Sequence, residues 1–324
     1  FFLIMFIIVG LTNGFSVITG QRFGAKDYDG VRRSVTMSTI LSFAFTLIFT
    51  LVCAIFMHQI LFLMNVPADI YKDAYYYIQI VVLGLFVANF YNLLASIIRA
   101  LGDSITPLYC LIIASILNII LALVFILNFH LGVPGSALAL ILSQGFSGLL
   151  CVWYVKRHFP ILHLKKQDWF FDWEKDKDFA LEHLKVGAPM AVQFAILGLS
   201  ILIIQSVCNS FGANVIAAFT AALRIEQIAT LPMISFGVAL ASFVAQNFGA
   251  RCFSRIRYGV KRASLINVGL SIFMAFIMHF FGGDLVRIFI GSGNEAVVKI
   301  AHDYLFISSL FYFFLAQIFI YRTA

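Results

Sequence analysis

Long apolar runs separated by short polar loops fill almost the whole chain. Runs of about twenty residues match the roughly 30 Å hydrocarbon core of a bilayer when they coil as α-helix. Only helices and closed barrels satisfy their backbone inside lipid, and these runs lack the ten-residue alternation of a barrel strand. The pattern predicts about nine spanning helices, over residues 1–20, 34–57, 74–98, 107–128, 134–156, 187–210, 222–246, 260–281 and 300–321. The expected fold class is therefore an all-α membrane protein, a polytopic helical bundle.

Composition agrees: 62% of residues are hydrophobic, 11% are charged and the mean hydropathy is +0.98, which removes the soluble classes. The net charge of +7 would suit nucleic acid, but the bases lie in loops between apolar spans, so no nucleic-acid partner is expected. Arg22, Lys26, Arg32 and Arg33 fall in the first loop, Arg99 in the third, Lys156 to Lys185 in the fifth, and Arg251, Arg255, Arg257, Lys261 and Arg262 in the seventh. The even loops hold little beyond Lys72 and Arg287, with Arg224 and Lys299 at the mouths of spans. The positive-inside rule then puts the odd loops in the cytoplasm, and the first helix runs inward. Five widely spaced cysteines without a CxxC pattern predict free thiols.

One ending is written twice. "QRFGAKDYDGVRRSV" (21–35) and "QNFGARCFSRIRYGV" (246–260) share Gln, Phe, Gly, Ala, Arg and Val at matching positions. At nearly the same spacing, Lys72, Ala74, Tyr77 and Ile80 match Lys299, Ala301, Tyr304 and Ile307. Both endings are cytoplasmic, so the repeat is parallel, and two six-helix pseudo-repeats are expected. The segments without a counterpart imply a fragment lacking one helix at its start and about two at its end. The domain reading is N-lobe helices over 1–157, a charged cytoplasmic linker over 158–185 and C-lobe helices over 186–324. Aromatics at helical spacing in the linker predict an amphipathic interfacial helix, and Trp153, Trp169 and Trp173 are expected to anchor near that surface.

Ionisable groups inside spans are costly and therefore candidates for function. Glu226, in "ALRIEQIATLPM", is the foremost: it would exchange a proton or hold Na⁺ with other oxygen ligands. The alternative is a solvated or paired acid at the outer interface. Asn89, Asn92 and Asn118 in the third and fourth spans, and Gln205 in the sixth, either line a polar cavity or bond between helices. Pro232 is a candidate hinge or an architectural kink. In "RALGDSITP", Gly102 reads as a helix C-cap and Asp103 or Ser104 as the next N-cap. No metalloprotease spacing, nucleophile elbow, P-loop or dinucleotide fingerprint occurs, so no catalytic residue, cofactor or resident metal is expected and the chain does not read as an enzyme.

"GLTNGFSVITGQRFGA", "IIRALGDSITP", "LNIILALVFI", "LGVPGSALALILSQ" and "ALRIEQIATLPMISFGVALASFVAQNFGA" together resemble the multidrug and toxic compound extrusion (MATE) transporters over essentially the whole chain. The resemblance implies two six-helix lobes around a V-shaped cavity. It also implies export of organic, often cationic, compounds coupled to entry of Na⁺ or H⁺, in the plasma membrane of a bacterium. Asn118 matches an asparagine of the family's first-lobe cation site, while Ala122 stands where many members have Asp. Glu226 matches the acid of the family's "RIEQ" run. The expected partners are small organic cations or drugs and the lipid bilayer, with the protein a monomer. The nearest alternative is a lipid-intermediate flippase of the same broad superfamily. Such a protein would want a strongly cationic cavity, and Arg224 is the sole intramembrane base the sequence offers.

Overall fold

The computed structural model describes residues 2–63, 71–163, 166–169, 173–209, 211–290 and 295–323, and among these the regular structure is helical. In chain order the helices are α1 (Phe2–Gly24), α2 (Tyr28–Ile55), α3 (Met57–Leu63), α4 (Tyr71–Leu83), α5 (Leu85–Ala100), α6 (Ile105–Leu123) and α7 (Gly132–His158). They continue as α8 (Trp173–Asn209), α9 (Ala213–Gly249), α10 (Phe253–Ile290), α11 (Glu295–Ser309) and α12 (Tyr312–Tyr321). Seven helices are long and apolar enough to span a membrane, or up to nine spans if each of two bent pairs counts as one.

The bent pairs are the third and ninth expected spans, which the hydropathy pattern presents as straight helices. The α4–α5 pair bends by 43° at Gly84 and the α11–α12 pair by 50° around Leu310 and Phe311. Carrying the Tyr77–Tyr304 match forward sets Gly84 opposite Phe311, so both halves break at the same place. Hydropathy reports which residues tolerate lipid and is blind to a bend that leaves composition unchanged.

The repeated endings fold alike. Lys26 N–H bonds to Phe23 O and Asp27 N–H to Arg22 O, while Arg251 N–H bonds to Phe248 O and Cys252 N–H to Asn247 O. Each is a Schellman turn whose left-handed residue is not the glycine but the base two positions later, Lys26 at φ 60° and Arg251 at φ 56°. After α5 the left-handed residue is Gly102, at φ 99°, as its sequence suggests. Asp103, rather than Ser104, caps α6: its Oδ1 accepts from Ile105 N–H and Thr106 N–H, both at 3.0 Å.

The chain forms two compact units, Phe1–Gly198 and Leu199–Ala324, and α8 contributes to both. In the first, α1 packs on α2 and α5 around Phe15, Leu93, Ile97 and Ile98, all buried. Where α1 crosses α8, backbones meet through small residues: a Cβ on Gly14 would lie 2.5 Å from Gly187 Cα, and one on Gly10 2.8 Å from Ala191 Cα. Both sides read small-xxx-small, the pattern that permits close approach in lipid. In the second unit α9, α10, α11 and α12 enclose Met233, Val286, Leu305 and Tyr312.

Among its described residues the charged linker holds no α-helix separate from α8. Pro160–Leu162 and Lys166–Trp169 are single tight turns, and α8 starts at Trp173 and continues into the span. Its acids face the turn between α1 and α2: Glu182 accepts from Arg22 at 3.0 Å, Asp176 pairs with Arg33, and Arg22 and Arg33 both lie 5.3 Å from the Phe179 ring. His183, fully buried, shares a hydrogen bond with Ser34 Oγ at 2.9 Å, and Ser34 another with Thr19 at 2.9 Å. Three of the four bases of the first ending, Arg22, Arg32 and Arg33, are thus held by protein acids, whereas their sequence context points toward lipid. Trp153 and Trp169 are exposed as interfacial anchors are, and the Trp173 side chain lies outside the described residues.

Gly14→Ala, which drives a methyl group into α8, is expected to lower the melting temperature of the purified protein in detergent by several degrees, since overpacking costs about 1–3 kcal/mol. Gly269→Ala, where the added methyl meets nothing within 4 Å, should leave it unchanged or higher. Asp103 lies between spans; burial pushes its carboxyl up, but hydrogen bonds from Thr106, Tyr154 and Ile105 outweigh this and hold it below the usual carboxylate range. A lowered carboxylate stabilises above its unfolded range and loses that contribution as pH falls. Asp103→Ala should therefore cost about 1 kcal/mol at pH 7, with the gap to wild type narrowing as melting curves are taken at progressively lower pH.

Candidate functional site

In the second unit, the "ALRIEQ" turn of α9 presents alternate residues to different surroundings: Arg224 is exposed, Ile225 buried and Glu226 half-buried. Glu226 Oε2 accepts from Tyr304 Oη of α11 at 2.9 Å. Ser308, one turn beyond Tyr304, is a second hydroxyl within reach of the carboxylate. The Tyr304 ring stands edge-on to Phe219 with centroids 5.5 Å apart, which fixes the phenol against α9. Tyr312 of α12 is 1% exposed, and its Oη has no hydrogen-bond partner among the described residues. No base pairs with Glu226 among the described residues, so its neighbours are neutral hydroxyls.

That arrangement has a direct chemical consequence. An ionised carboxylate inside a span without a countercharge is costly, and a bound proton or a small cation removes the cost. Hydroxyl oxygens can complete the coordination of a hard cation, and the same groups can accept the hydrogen bond of a protonated acid. Sequence reasoning misses Tyr304 and Ser308 as neighbours of Glu226, since they lie far along the chain. The signal present is the repeat, which singles out Tyr304 as the match of Tyr77.

The other sequence candidates are dispersed. Pro232 sits within α9, which continues as one helix from Ala213 to Gly249; the ring leaves the Ile228 carbonyl without its usual donor. Gln205 lies on α8, half-buried. In the first unit, Asn118 is half-buried on α6 and Asn92 donates to Ala88 O at 2.8 Å, bonding its own helix. Asn89, on α5, is 0% exposed, and neither its Oδ1 nor its Nδ2 has a partner among the described residues. A buried amide with both ends unpaired is an expensive feature in a membrane bundle and calls for a reason. Asn89 shares its helix with buried Ser96, whose hydroxyl reaches Thr12 O of α1 at 3.3 Å. α2 lines up Ser34, Ser38, Ser42, Thr46 and Thr50, every fourth residue and all buried.

Fold and site together define a polytopic helical membrane protein with a half-buried ionisable group on one of its spanning helices. The MatE family model matches residues 1–124 and 189–324. A probable multidrug resistance protein of Bacillus subtilis, YpnP, is 30% identical over 317 residues, covering 97% of this chain and 68% of that protein. Another from the same organism, YoeA, is 27% identical over 313 residues, covering 95% and 67%. A solved structure, the outward-facing conformation of a multidrug resistance MATE family transporter of the MOP superfamily, superposes with a TM-score of 0.89 at 22% identity. It covers all of this chain, which spans 71% of that one. The chain belongs to the MatE family. Its members are transporters and not enzymes, and the bacterial relatives place this multi-span protein in the plasma membrane.

Asn89→Leu replaces two unpartnered polar atoms with an apolar group of similar volume. Because an unsatisfied buried group costs about 1–3 kcal/mol, the variant is expected to melt several degrees higher in detergent. If Asn89 serves the transport path, the same variant will move substrate more slowly, so melting and flux measured on one preparation should change in opposite directions.

Proposed function

We propose that this protein is a secondary active efflux transporter that exports organic, often cationic, compounds by antiport with H⁺ or Na⁺ through alternating access. The observation that carries the reading is Glu226, a half-buried carboxylate in a spanning helix whose hydrogen-bond partner is the Tyr304 hydroxyl. A carboxylate that alternates between empty and cation-bound forms changes the local charge by one unit. The two forms therefore favour different conformations.

In this reading Glu226 is the coupling acid, with Tyr304 and Ser308 as its hydroxyl ligands. Asn118, Asn89, Asn92 and Gln205 line the polar path, and Pro232 serves as the hinge of α9. The moving bodies are lobes over 1–157 and 186–324, joined by 158–185. The names of YpnP and YoeA, probable multidrug resistance proteins, support an organic substrate. For the first lobe, Ala122 removes the acid that many relatives have, which leaves Asn118 as a neutral ligand and moves the weight of coupling to Glu226.

The test is flux of a fluorescent organic cation into proteoliposomes that hold the full-length parent protein, under an imposed proton or Na⁺ gradient. Gradient-driven flux is expected, and Glu226→Gln should abolish it, a loss of at least about tenfold for a group that acts as the exchange site. Tyr304→Phe should reduce flux several-fold, because it removes one ligand and keeps the ring. Arg224→Gln should leave it intact. Unchanged flux in Glu226→Gln would sink the coupling role, and immobility of every organic cation under both gradients would favour the flippase reading.

A further inference from the structure

Two cysteines that are far apart in the chain meet where α5, α6 and α7 pack together. Cys110 of α6 and Cys151 of α7 are free thiols, 6% and 0% exposed, in one cluster with Tyr91, Ala95 and Ile98 of α5. The two thiols are hydrogen-bonding neighbours. Contacts on either side fix their level: Ser147 Oγ, one turn before Cys151, donates to Cys110 O at 3.0 Å, and Tyr91 Oη donates to Pro107 O at 3.2 Å. A Cβ on Gly148 would lie 2.9 Å from the Phe90 ring, so α7 sits close on α5 at the same place. All of these residues belong to the first unit.

Charge marks this pair out from an ordinary core cysteine. The Arg99 guanidinium, half-buried at the end of α5, interacts with the Cys151 thiol and the Tyr91 hydroxyl. Cys53, by contrast, packs among Ile8, Met57, Leu61, Val82 and Leu85 and serves as an apolar filler. Two facing sulfurs beside a fixed cation suit a ligand whose complex with them is negative.

We propose that Cys110 and Cys151 form a binding site for a soft monovalent cation, Cu⁺ or Ag⁺, held between their sulfurs. Binding replaces two S–H bonds by two metal–sulfur bonds; two protons leave to solvent and no oxidation state changes. Two thiolates around one monovalent ion sum to a single negative charge, and Arg99 supplies the matching positive one inside the bundle. The site is independent of the chemistry at Glu226, which lies in the second unit.

The donor set selects the ion. Thiolate sulfur prefers soft metals, whereas Na⁺, Mg²⁺ and Ca²⁺ take oxygen ligands. Zn²⁺ wants four ligands, and among the described residues no group of three or more His, Cys, Asp or Glu side chains could hold an ion. Access is short: Cys110 lies in the second turn of α6, beside the α5–α6 turn where Gly102 and Ser104 are exposed. The chain joins α6 to α7 at the opposite end of this hairpin, so a bound ion ties the two helices where no covalent link holds them.

The test uses the full-length parent protein with every cysteine except Cys110 and Cys151 changed to serine, titrated in detergent with Ag⁺, or with Cu⁺ under a reductant, against a competing thiol. One ion per protein is expected, with X-ray absorption showing two sulfur neighbours and a melting temperature that rises as the ion is added. Cys110→Ser and Cys151→Ser should each weaken binding by at least about 100-fold, the upper end of what outer-shell changes cost. Cys110→Ala should show the same loss while keeping the position apolar, and melting without the ion verifies that each variant is folded. Arg99→Gln should cost about tenfold or more, and Arg99→Lys, which keeps the charge, much less. Glu226→Gln should bind the ion unchanged, whatever it does to flux. A single sulfur neighbour, undiminished affinity in either serine variant, or a melting temperature that the ion leaves unmoved would overturn the site. Equal affinity in Arg99→Gln would overturn the charge balance on which it rests.

Discussion

A bilayer offers its hydrocarbon core no water, and this structure follows from the obligation that sets on every backbone N–H and C=O. The obligation forces helices, and it makes each interruption costly. The two sharp bends show how that cost is contained: around Phe311 the chain tightens into bonds from Leu310 N–H to Ile307 O and Phe311 N–H to Ser308 O, so the ladder shortens rather than opens. With hydrophobic transfer no longer driving helix against helix, contact depends on fit. The Gly10–Ala191 and Gly14–Gly187 crossing brings α1 and α8 together because neither side has a side chain in the way.

Polar groups sort into two regimes. At the α1–α2 turn of the first unit charges meet charges, with Arg22 on Glu182 and Arg33 on Asp176, and the guanidiniums flank the Phe179 ring. Such pairs orient the entry of α8 more than they stabilise it, since exposed ion pairs are worth little each. Inside the spans the pairing changes character: Glu226 meets a phenol, Thr19 meets Ser34, and Asn89 meets nothing among the described residues. Neutral partners leave the Glu226 carboxylate without a fixed countercharge among the described residues.

The repeat gives a controlled comparison within one chain. Turn geometry is retained to the level of the left-handed residue, Lys26 in one copy and Arg251 in the other, although neither is glycine. Surface chemistry is not retained. The first ending keeps Asp27 as the cap of α2, its Oδ1 accepting from Gly30 N–H at 2.9 Å, while the second has Cys252 there and gathers bases instead. Backbone shape is held by local hydrogen bonds that many sequences can make, whereas the rim charges answer to whatever each copy touches.

Several features were legible in the residues alone: the helical class, the approximate spans, the parallel repeat and the membership suggested by the ordered motifs. Each is a property of local composition and spacing, because twenty apolar residues in lipid have one low-energy backbone and a copied ending folds as its twin does. Glu226 also stood out, since a carboxylate in an apolar run is costly wherever its neighbours lie. Tertiary structure alone decided who those neighbours are, setting Tyr304 and Ser308 from a distant helix beside Glu226 while leaving Arg224 outside. It also decided that Gly84 and Phe311 bend their spans and that α8 runs unbroken from Trp173 into a span. These outcomes depend on which helix faces meet, and that is fixed by packing between segments far apart in the chain, where periodicity carries no information.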